Sequence, residues 1–138
     1  MARAPPPSAP VPALSVALRR ESPKAFATLL AHPGTDVNAL NAAGESPLML
    51  AAIAGDMESS RQLLERGAQV DKPGWTPLHY AASGPNTKLV ELLLARGAAP
   101  DAESPNGTTP LMLAAQAGPE PSVDLLLRRG ADPKRRNQ

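Results

Sequence analysis

Apolar side chains recur along the chain at the spacing of a helix with one buried face. In three segments an apolar residue is followed by leucines three and four positions later, which places all three on one side of a helix. In a further segment Ser60 takes the first of these places, so we expect weaker packing of that helix. The three apolar sets are Phe26, Leu29 and Leu30; Val90, Leu93 and Leu94; and Val123, Leu126 and Leu127.

Two short sequence motifs repeat along the chain, and the offset between them is constant. The first begins with Ser or Thr, continues Pro-Leu and ends in Ala-Ala; the second begins Leu-Leu and ends Arg-Gly-Ala. Both recur after 30 and then 33 residues, and a fainter copy lies 34 residues upstream. Such a period indicates stacked supersecondary units. We predict a Pro-rich lead at 1–12, extended and disordered, and one repeat domain at 13–138 with units at about 13–40, 41–71, 72–103 and 104–138.

These residues resemble ankyrin repeats, whose pattern is a turn Gly, then Thr-Pro-Leu-His-x-Ala-Ala, then a Leu-rich helix and Gly-Ala-Asp. The third unit is nearest to that pattern, with Gly74, the segment 76–82, and Gly97 followed by Ala98. The resemblance implies an all-α fold: a solenoid of about four helix-turn-helix repeats with short β-turn or hairpin connections. The segment 72–80 is also similar to ankyrin proteins of proteobacteria, some of which are exported.

Local signals predict how each unit begins and turns. A Ser or Thr before each Pro-Leu can cap the first helix, and the proline then occupies a position where its missing N–H costs nothing. We expect Gly55 and Gly118 to end first helices with positive φ. The sequences 41–44 and 104–107 predict type I turns, whereas 72–75 predicts a type II turn. That last connection is three residues shorter than its counterpart in the fourth unit, so we expect a notch beside Trp75.

Composition and charge exclude several kinds of site and partner. The chain has no cysteine, which excludes disulfides and cysteine-ligated metals. Its 14 basic and 13 acidic side chains give a net charge of +1, so we expect no nucleic-acid partner. No apolar run approaches the ~18 residues that span a bilayer, and none follows Arg3, so we expect no membrane insertion and no signal peptide. The expected location is cytoplasmic by default, or exported (periplasmic) if a signal was removed.

The sequence offers no constellation for catalysis. His79 stands at the ankyrin Thr-Pro-Leu-His position, where the family resemblance implies that the ring hydrogen-bonds the backbone of adjoining turns. His32 has no metal-binding partner at a suitable spacing, and phosphate-loop and nucleophile motifs are absent. We therefore predict a non-enzyme without cofactor or metal. Asn38 resembles the ankyrin asparagine that hydroxylases modify in animal cells, but hydrogen bonding of the hairpin is the favoured role.

The resemblance implies an unidentified protein partner bound at variable positions on the concave face. Trp75 and Ile53 form the predicted centre, because the repeat pattern requires neither, and tryptophan often dominates binding energy. The alternative for Trp75 is that it fills space against the short turn. The remaining predicted contacts are Arg19, Arg20, Ala42, Ala43, Glu45, Ala54, Ser83, Gly84, Asn106, Thr108, Gln116 and Ala117.

The alternative function is assembly. Terminal units of a solenoid usually carry polar residues on the face that no neighbour covers. The last helix instead keeps Val123, Leu126 and Leu127. This pattern predicts self-association through the C-terminal unit, so the chain is expected to be a monomer or a weak oligomer.

Overall fold

A computed structural model describes residues 12–19 and 21–138 of the chain. Arg20 and most of the Pro-rich lead lie outside the described residues. The described part is all-helical, with turns as connections and no strand. Its helices are α1 (Ala13–Arg19), α2 (Pro23–Ala31), α3 (Pro47–Ala54), α4 (Met57–Glu65), α5 (Pro77–Ser83), α6 (Thr87–Ala95), α7 (Pro110–Ala117) and α8 (Glu120–Arg128).

Consecutive helices pair into four units, which stack into a solenoid. The first helices form one row, with α1 against α3, α3 against α5 and α5 against α7, while α4, α6 and α8 form a second row. Between the rows lie fully buried leucines, including Leu48, Leu78, Leu93 and Leu126. Because aromatic residues are so few, this core consists mainly of Leu and Ala, and the small volume of alanine lets neighbouring helices approach closely.

The predicted helix starts are present. The Ser46 hydroxyl accepts from the amide of Met49, and the Thr109 hydroxyl accepts from that of Met112. These bonds satisfy amides that the first turn of a helix leaves without a partner. In the third unit the His79 ring accepts from the Thr76 amide instead.

The prediction for the ends of the first helices is correct at Gly55 and wrong at Gly118. Gly55 is left-handed, with φ of 67°, but Gly118 is extended, with φ of −87°. Gly118 precedes Pro119, and a residue before proline is driven to extended backbone by the proline ring. The glycine is needed there for another reason: a Cβ would overlap the carbonyl oxygen of Ala82. Gly118 thus allows close approach of neighbouring units.

The hairpin turns follow the predicted pattern. The amides of Gly44 and Gly107 donate to the carbonyl oxygens of Asn41 and Ser104, at 2.9 and 2.8 Å. Both glycines have positive φ, and so does Gly74 in the short third connection. The left-handed Gly74 agrees with the type II turn expected at 72–75.

A carboxylate or amide at the same place in each of three units accepts a backbone hydrogen bond from the next unit. Asn38 Oδ1 accepts from the Gln69 amide at 2.8 Å, which agrees with the hydrogen-bonding role favoured for it. Asp71 accepts from the Ala99 amide, and Asp101 from the Asp132 amide at 2.9 Å. In the fourth unit this place is held by Lys134, which cannot accept a hydrogen bond.

The C-terminal residues fold back on the fourth hairpin. The Gln138 amide donates to the Asn106 carbonyl at 2.9 Å, and Asn137 Nδ2 donates to Thr108 Oγ1 at 3.2 Å. Arg135 adds an ion pair with Glu103 at 2.5 Å. These contacts hold the end of the chain against the hairpin tip rather than against the helices.

The predicted apolar face of the last helix is only partly buried. Leu126 is fully buried, Val123 is half-buried, and Leu127 is 42% exposed, whereas the equivalent Leu94 of the third unit is 8% exposed. Leu94 is covered by the next unit, and the described residues contain nothing that covers Leu127 in the same way. The exposure of Leu127 agrees with the expectation that the last helix keeps apolar residues on a face that no neighbouring unit covers.

Candidate functional site

His79 joins the third and fourth units from inside the core. Its Nε2 donates to the Thr108 carbonyl at 2.8 Å, and its Nδ1 lies 3.0 Å from the Thr76 amide and 2.9 Å from the Thr76 hydroxyl. Burial lowers the pKa of the His79 imidazole, against a smaller opposing effect of its hydrogen bond to Thr108. The ring is therefore neutral near pH 7, and its predicted role in bonding adjoining turns is confirmed.

Trp75 packs against this histidine at the shortened third hairpin. The two rings meet edge to face with centroids 5.1 Å apart, a favoured geometry for aromatic pairs. Trp75 also lies beside Tyr80, with the two ring centroids 6.2 Å apart and the ring planes tilted by 31°. Trp75 is half-buried. Trp75 thus packs against two rings of its own unit and is partly exposed to solvent.

Tyr80 is a surface residue that the sequence reasoning missed. It is half-buried, as are Leu50 and Leu113 at the same place in the second and fourth units. Burial raises the pKa of the Tyr80 phenol, and the nearby Glu45 carboxylate raises it further. The signal was available, since the repeat pattern leaves the residue after His79 variable and an aromatic side chain there is otherwise unexplained.

Glu45 precedes Ser46 as Trp75 precedes Thr76, so the two occupy the same place on adjacent units. Glu45 is half-buried, and its Oε1 accepts from Asn41 Nδ2 at 3.0 Å. The predicted contacts Ala42 and Ala43 are exposed at the tip of the same hairpin. The second and third hairpins therefore carry a carboxylate and an indole at equivalent places.

Ile53 lies in a separate groove between the first and second units. Its side chain is 50% exposed, although it belongs to a helix whose other apolar residues are largely buried. The groove has a volume of about 650 Å³, and its apolar wall includes Leu18, Phe26 and Leu50. At this boundary α2 and α4 are less closely packed than α4 and α6. Trp75 is not among its lining residues, so the structure does not join Trp75 and Ile53 in one cavity.

Charged side chains border this groove. Glu21, Asp56 and Glu58 line it together with Arg19, a predicted contact. Asp56 caps α4 by accepting from Ser59, and Glu58 is paired with Arg61. Ala54 lines the same groove, while the predicted contact Arg20 is outside the described residues.

The other predicted contacts are divided between surface and interior. Gln116 and Asn106 are exposed, and the Asn106 carboxamide accepts from the hydroxyl of Thr108 at 2.9 Å. Ser83 is half-buried, with its hydroxyl donating to the Tyr80 carbonyl. Thr108 is buried and bonded within its hairpin, so its placement on the open surface was wrong. The reason is that the C-terminal residues and His79 both contact this hairpin.

The described residues contain no group of three or more His, Asp or Glu side chains that could hold a metal ion. In the same part of the chain, no helix has the length and apolar character needed to cross a membrane.

Comparison with known proteins finds similar segments in much longer chains. A mouse 2-5A-dependent ribonuclease is 42% identical over 67 residues, 46% of this chain and 9% of the relative. A mouse ankyrin repeat and SAM domain-containing protein is 39% identical over 75 residues, 51% of this chain and 8% of the relative. Zygote-specific protein 3 of Chlamydomonas reinhardtii is 34% identical over 96 residues, 68% of this chain and 26% of the relative.

The chain thus spans 26% or less of the length of these relatives. A family profile described as ankyrin repeats (3 copies) matches residues 14–104 and 74–137, which is nearly all of the described part. The four stacked helix pairs, the repeated Pro-Leu helix starts and this match agree, and the chain belongs to the ankyrin-repeat family.

Proposed function

We propose that the protein is a non-catalytic binding module that holds a protein partner on its concave face, with Ile53 and Trp75 as the main contacts. Ankyrin repeats generally mediate protein–protein interactions. The observation that carries the proposal here is Ile53, half-exposed at an apolar groove in a solenoid whose other aliphatic residues mostly lie inside. Full burial of such a side chain stabilises a complex by about 1.5–3 kcal/mol.

The groove and the aromatic pair serve as two separate contact points. Ile53 lies between the first two units, whereas Trp75 lies at the third hairpin. A partner segment that crosses the concave face touches both, and loss of either contact weakens binding. The name of the ribonuclease relative describes an activity of that protein, but only 9% of its length matches.

The test is a paired capture experiment. The wild-type chain and the Ile53→Glu, Trp75→Ala variant are immobilised and exposed to lysate of the producing cell. We expect a protein that the first retains and the second loses, because a carboxylate in place of Ile53 removes the apolar contact and is costly to bury against a partner. Circular dichroism of both chains verifies that the variant is folded, with a melting temperature within a few degrees of wild type.

Single variants separate the two contact points. Ile53→Glu alone changes an exposed side chain, so it tests the groove without disturbing the His79 contact of Trp75. Leu127→Glu is the matched control, because it adds the same charge at a similarly exposed apolar residue on another face. Equal retention by wild type, Ile53→Glu and the double variant would contradict the proposal.

A second candidate function is self-association through the C-terminal unit. It is favoured by the exposure of one surface on α7 and α8. Leu127 and Ala115 are exposed, whereas the equivalent Leu94 and Ala82 are buried by the following unit. Stacking of a second copy on this surface would bury apolar area of the same kind that joins units within the chain.

A further inference from the structure

Two half-buried aromatic rings pack together in the third unit, and a half-buried carboxylate lies on the hairpin of the adjacent second unit. The Trp75 and Tyr80 rings are tilted by 31° with centroids 6.2 Å apart. Glu45 stands on the adjacent hairpin, at the same place in its unit as Trp75 in its own. None of the three is fully buried, so each contributes part of its surface to solvent.

The charges around the rings favour a cation. The face of an aromatic ring is the negative end of its quadrupole, and tryptophan attracts cations most strongly. Burial raises the pKa of the Tyr80 phenol, and the negative charge of Glu45 adds to that increase. The bond of Glu45 to Asn41 engages Oε1, one of its two oxygens. Behind Trp75, the lowered pKa keeps His79 neutral near pH 7, so that ring adds no positive charge.

Other charged groups on these hairpins leave this balance in place. Lys72 is on the same turn as Trp75, and its Nζ donates to the Pro73 carbonyl at 3.2 Å. Asp71 adds a further negative charge on the same connection. The repeat pattern requires neither an aromatic residue after His79 nor an acid before Ser46, so the combination is a property of this chain.

We propose that Trp75, Tyr80 and Glu45 form a subsite for a cationic side chain, an arginine or lysine of the bound partner. The cation lies against the two rings and is paired with the Glu45 carboxylate. This inference rests on the proposed function for the existence of a partner, and it names the chemistry by which that partner is recognised. Ile53 supplies the apolar contact in its own groove, so the two contacts require an apolar and a basic residue in one partner segment.

The experiment uses a small cation as the probe and the tryptophan as the reporter. Trp75 is the one tryptophan of the sequence, so its fluorescence reports on this site alone. N-acetyl-arginine amide is titrated into the full chain, with sodium chloride balanced at constant ionic strength. We expect a saturable change in emission in the millimolar range, with a weaker or no response to N-acetyl-citrulline amide, which has the same shape without the charge.

Two variants test the residues. Glu45→Gln keeps the hydrogen bond to Asn41 available but removes the charge, and it is expected to weaken arginine binding by about threefold or more. Glu91→Gln removes an exposed carboxylate from α6 and is the matched control, which should leave the titration unchanged. A parallel titration with N-acetyl-lysine amide shows whether the planar guanidinium or the compact ammonium fits better; a response to either supports the subsite.

Three results would contradict the proposed subsite. Equal responses to the arginine and citrulline probes would show stacking without charge recognition, and no saturable response would remove the subsite. Equal affinities of Glu45→Gln and Glu91→Gln would remove Glu45 from it. The capture experiment on Ile53 is independent of these titrations, so failure of the subsite is distinguishable from failure of the binding function.

Discussion

His79 shows how one side chain can define a boundary between repeats. Its ring is buried, accepts from the amide that begins its own helix and donates to Thr108 of the next unit. In the neutral ring, one nitrogen carries a hydrogen and donates, and the other nitrogen accepts. A second proton would convert the accepting nitrogen into a donor facing the Thr76 amide, so protonation opposes folding.

The stability of the chain should therefore depend on pH through His79. The unfolded imidazole has the ordinary pKa of 6.5, and burial lowers the folded value. Between the two values the unfolded state binds more protons, so the free energy of unfolding falls as pH decreases from 6.5 toward the folded pKa. Above 6.5 the contribution is complete and constant. Urea unfolding of wild type at a series of pH values measures this slope.

Two variants test this pH dependence. His79→Gln keeps a hydrogen-bond donor and an acceptor but has no titratable ring, and His32→Gln is the control in an exposed loop. We expect the slope near pH 6 to be smaller in His79→Gln and unchanged in His32→Gln. The same slope in all three chains would show that His79 does not carry the dependence.

Glu21 departs from the backbone conformation that is usual for a residue with a side chain. Glu21 has φ of 51°, a left-handed conformation that is costly for a residue with a side chain. It lies 34 residues before Gly55, which has φ of 67° at the same place in the second unit. The shared position in the repeat thus determines the backbone, and the tertiary fold imposes it on a glutamate. Sequence pattern alone gave no reason to expect this at Glu21.

At the scale of the helices, two glycines in similar backbone conformations have different reasons to be glycine. Gly84 and Gly118 both end a first helix, both precede a proline, and have φ of −93° and −87°. At Gly84 an added Cβ would make ordinary contacts at 3.6 Å, whereas at Gly118 it would overlap the Ala82 carbonyl. The difference comes from the closeness of α5 and α7, which no local signal encodes.

Alanine at these two positions should therefore have opposite effects. Gly118→Ala must push α5 and α7 apart, and we expect a loss of about 1–3 kcal/mol in the free energy of unfolding. Gly84→Ala restricts the unfolded chain without strain in the fold, so it should be neutral or stabilising by about 0.4–1 kcal/mol. Urea unfolding of both variants measures the difference. Equal stabilities would mean that the units adjust their spacing at no cost.

At the scale of the whole molecule, the solenoid has a loosely packed first boundary and an exposed last surface. A groove remains between the first two units, while the third and fourth are joined by His79 and by the Asp101 bond to Asp132. Because each unit contacts only its neighbours, these boundaries act independently. The groove and the exposed C-terminal surface can thus bind different molecules.

Self-association, if it occurs at the last surface, should depend on Leu127. Mass measured by sedimentation should rise with concentration in the wild type, since stacking would bury a side chain that is 42% exposed. Leu127→Glu should lower that mass by placing a charge in the contact, and Ile53→Glu should leave it unchanged. A monomer at all concentrations, or an equal loss with Ile53→Glu, would contradict self-association through this surface.

The sequence by itself determined the family, the helix pairs and most of the helix starts, because these depend on contacts within a few residues. Periodic leucines, a hydroxyl before Pro-Leu and glycines at the hairpins act locally in every unit. The role of His79 was also predictable, since its bonding partners recur with the repeat.

The tertiary structure decided what surrounds each variable residue. It placed Trp75 on Tyr80, buried Thr108 and separated Ile53 from Trp75. These outcomes depend on the distance and angle between units and on the return of the C-terminal residues to a hairpin. Such quantities result from packing across 30 or more residues, and no single position of the repeat carries them.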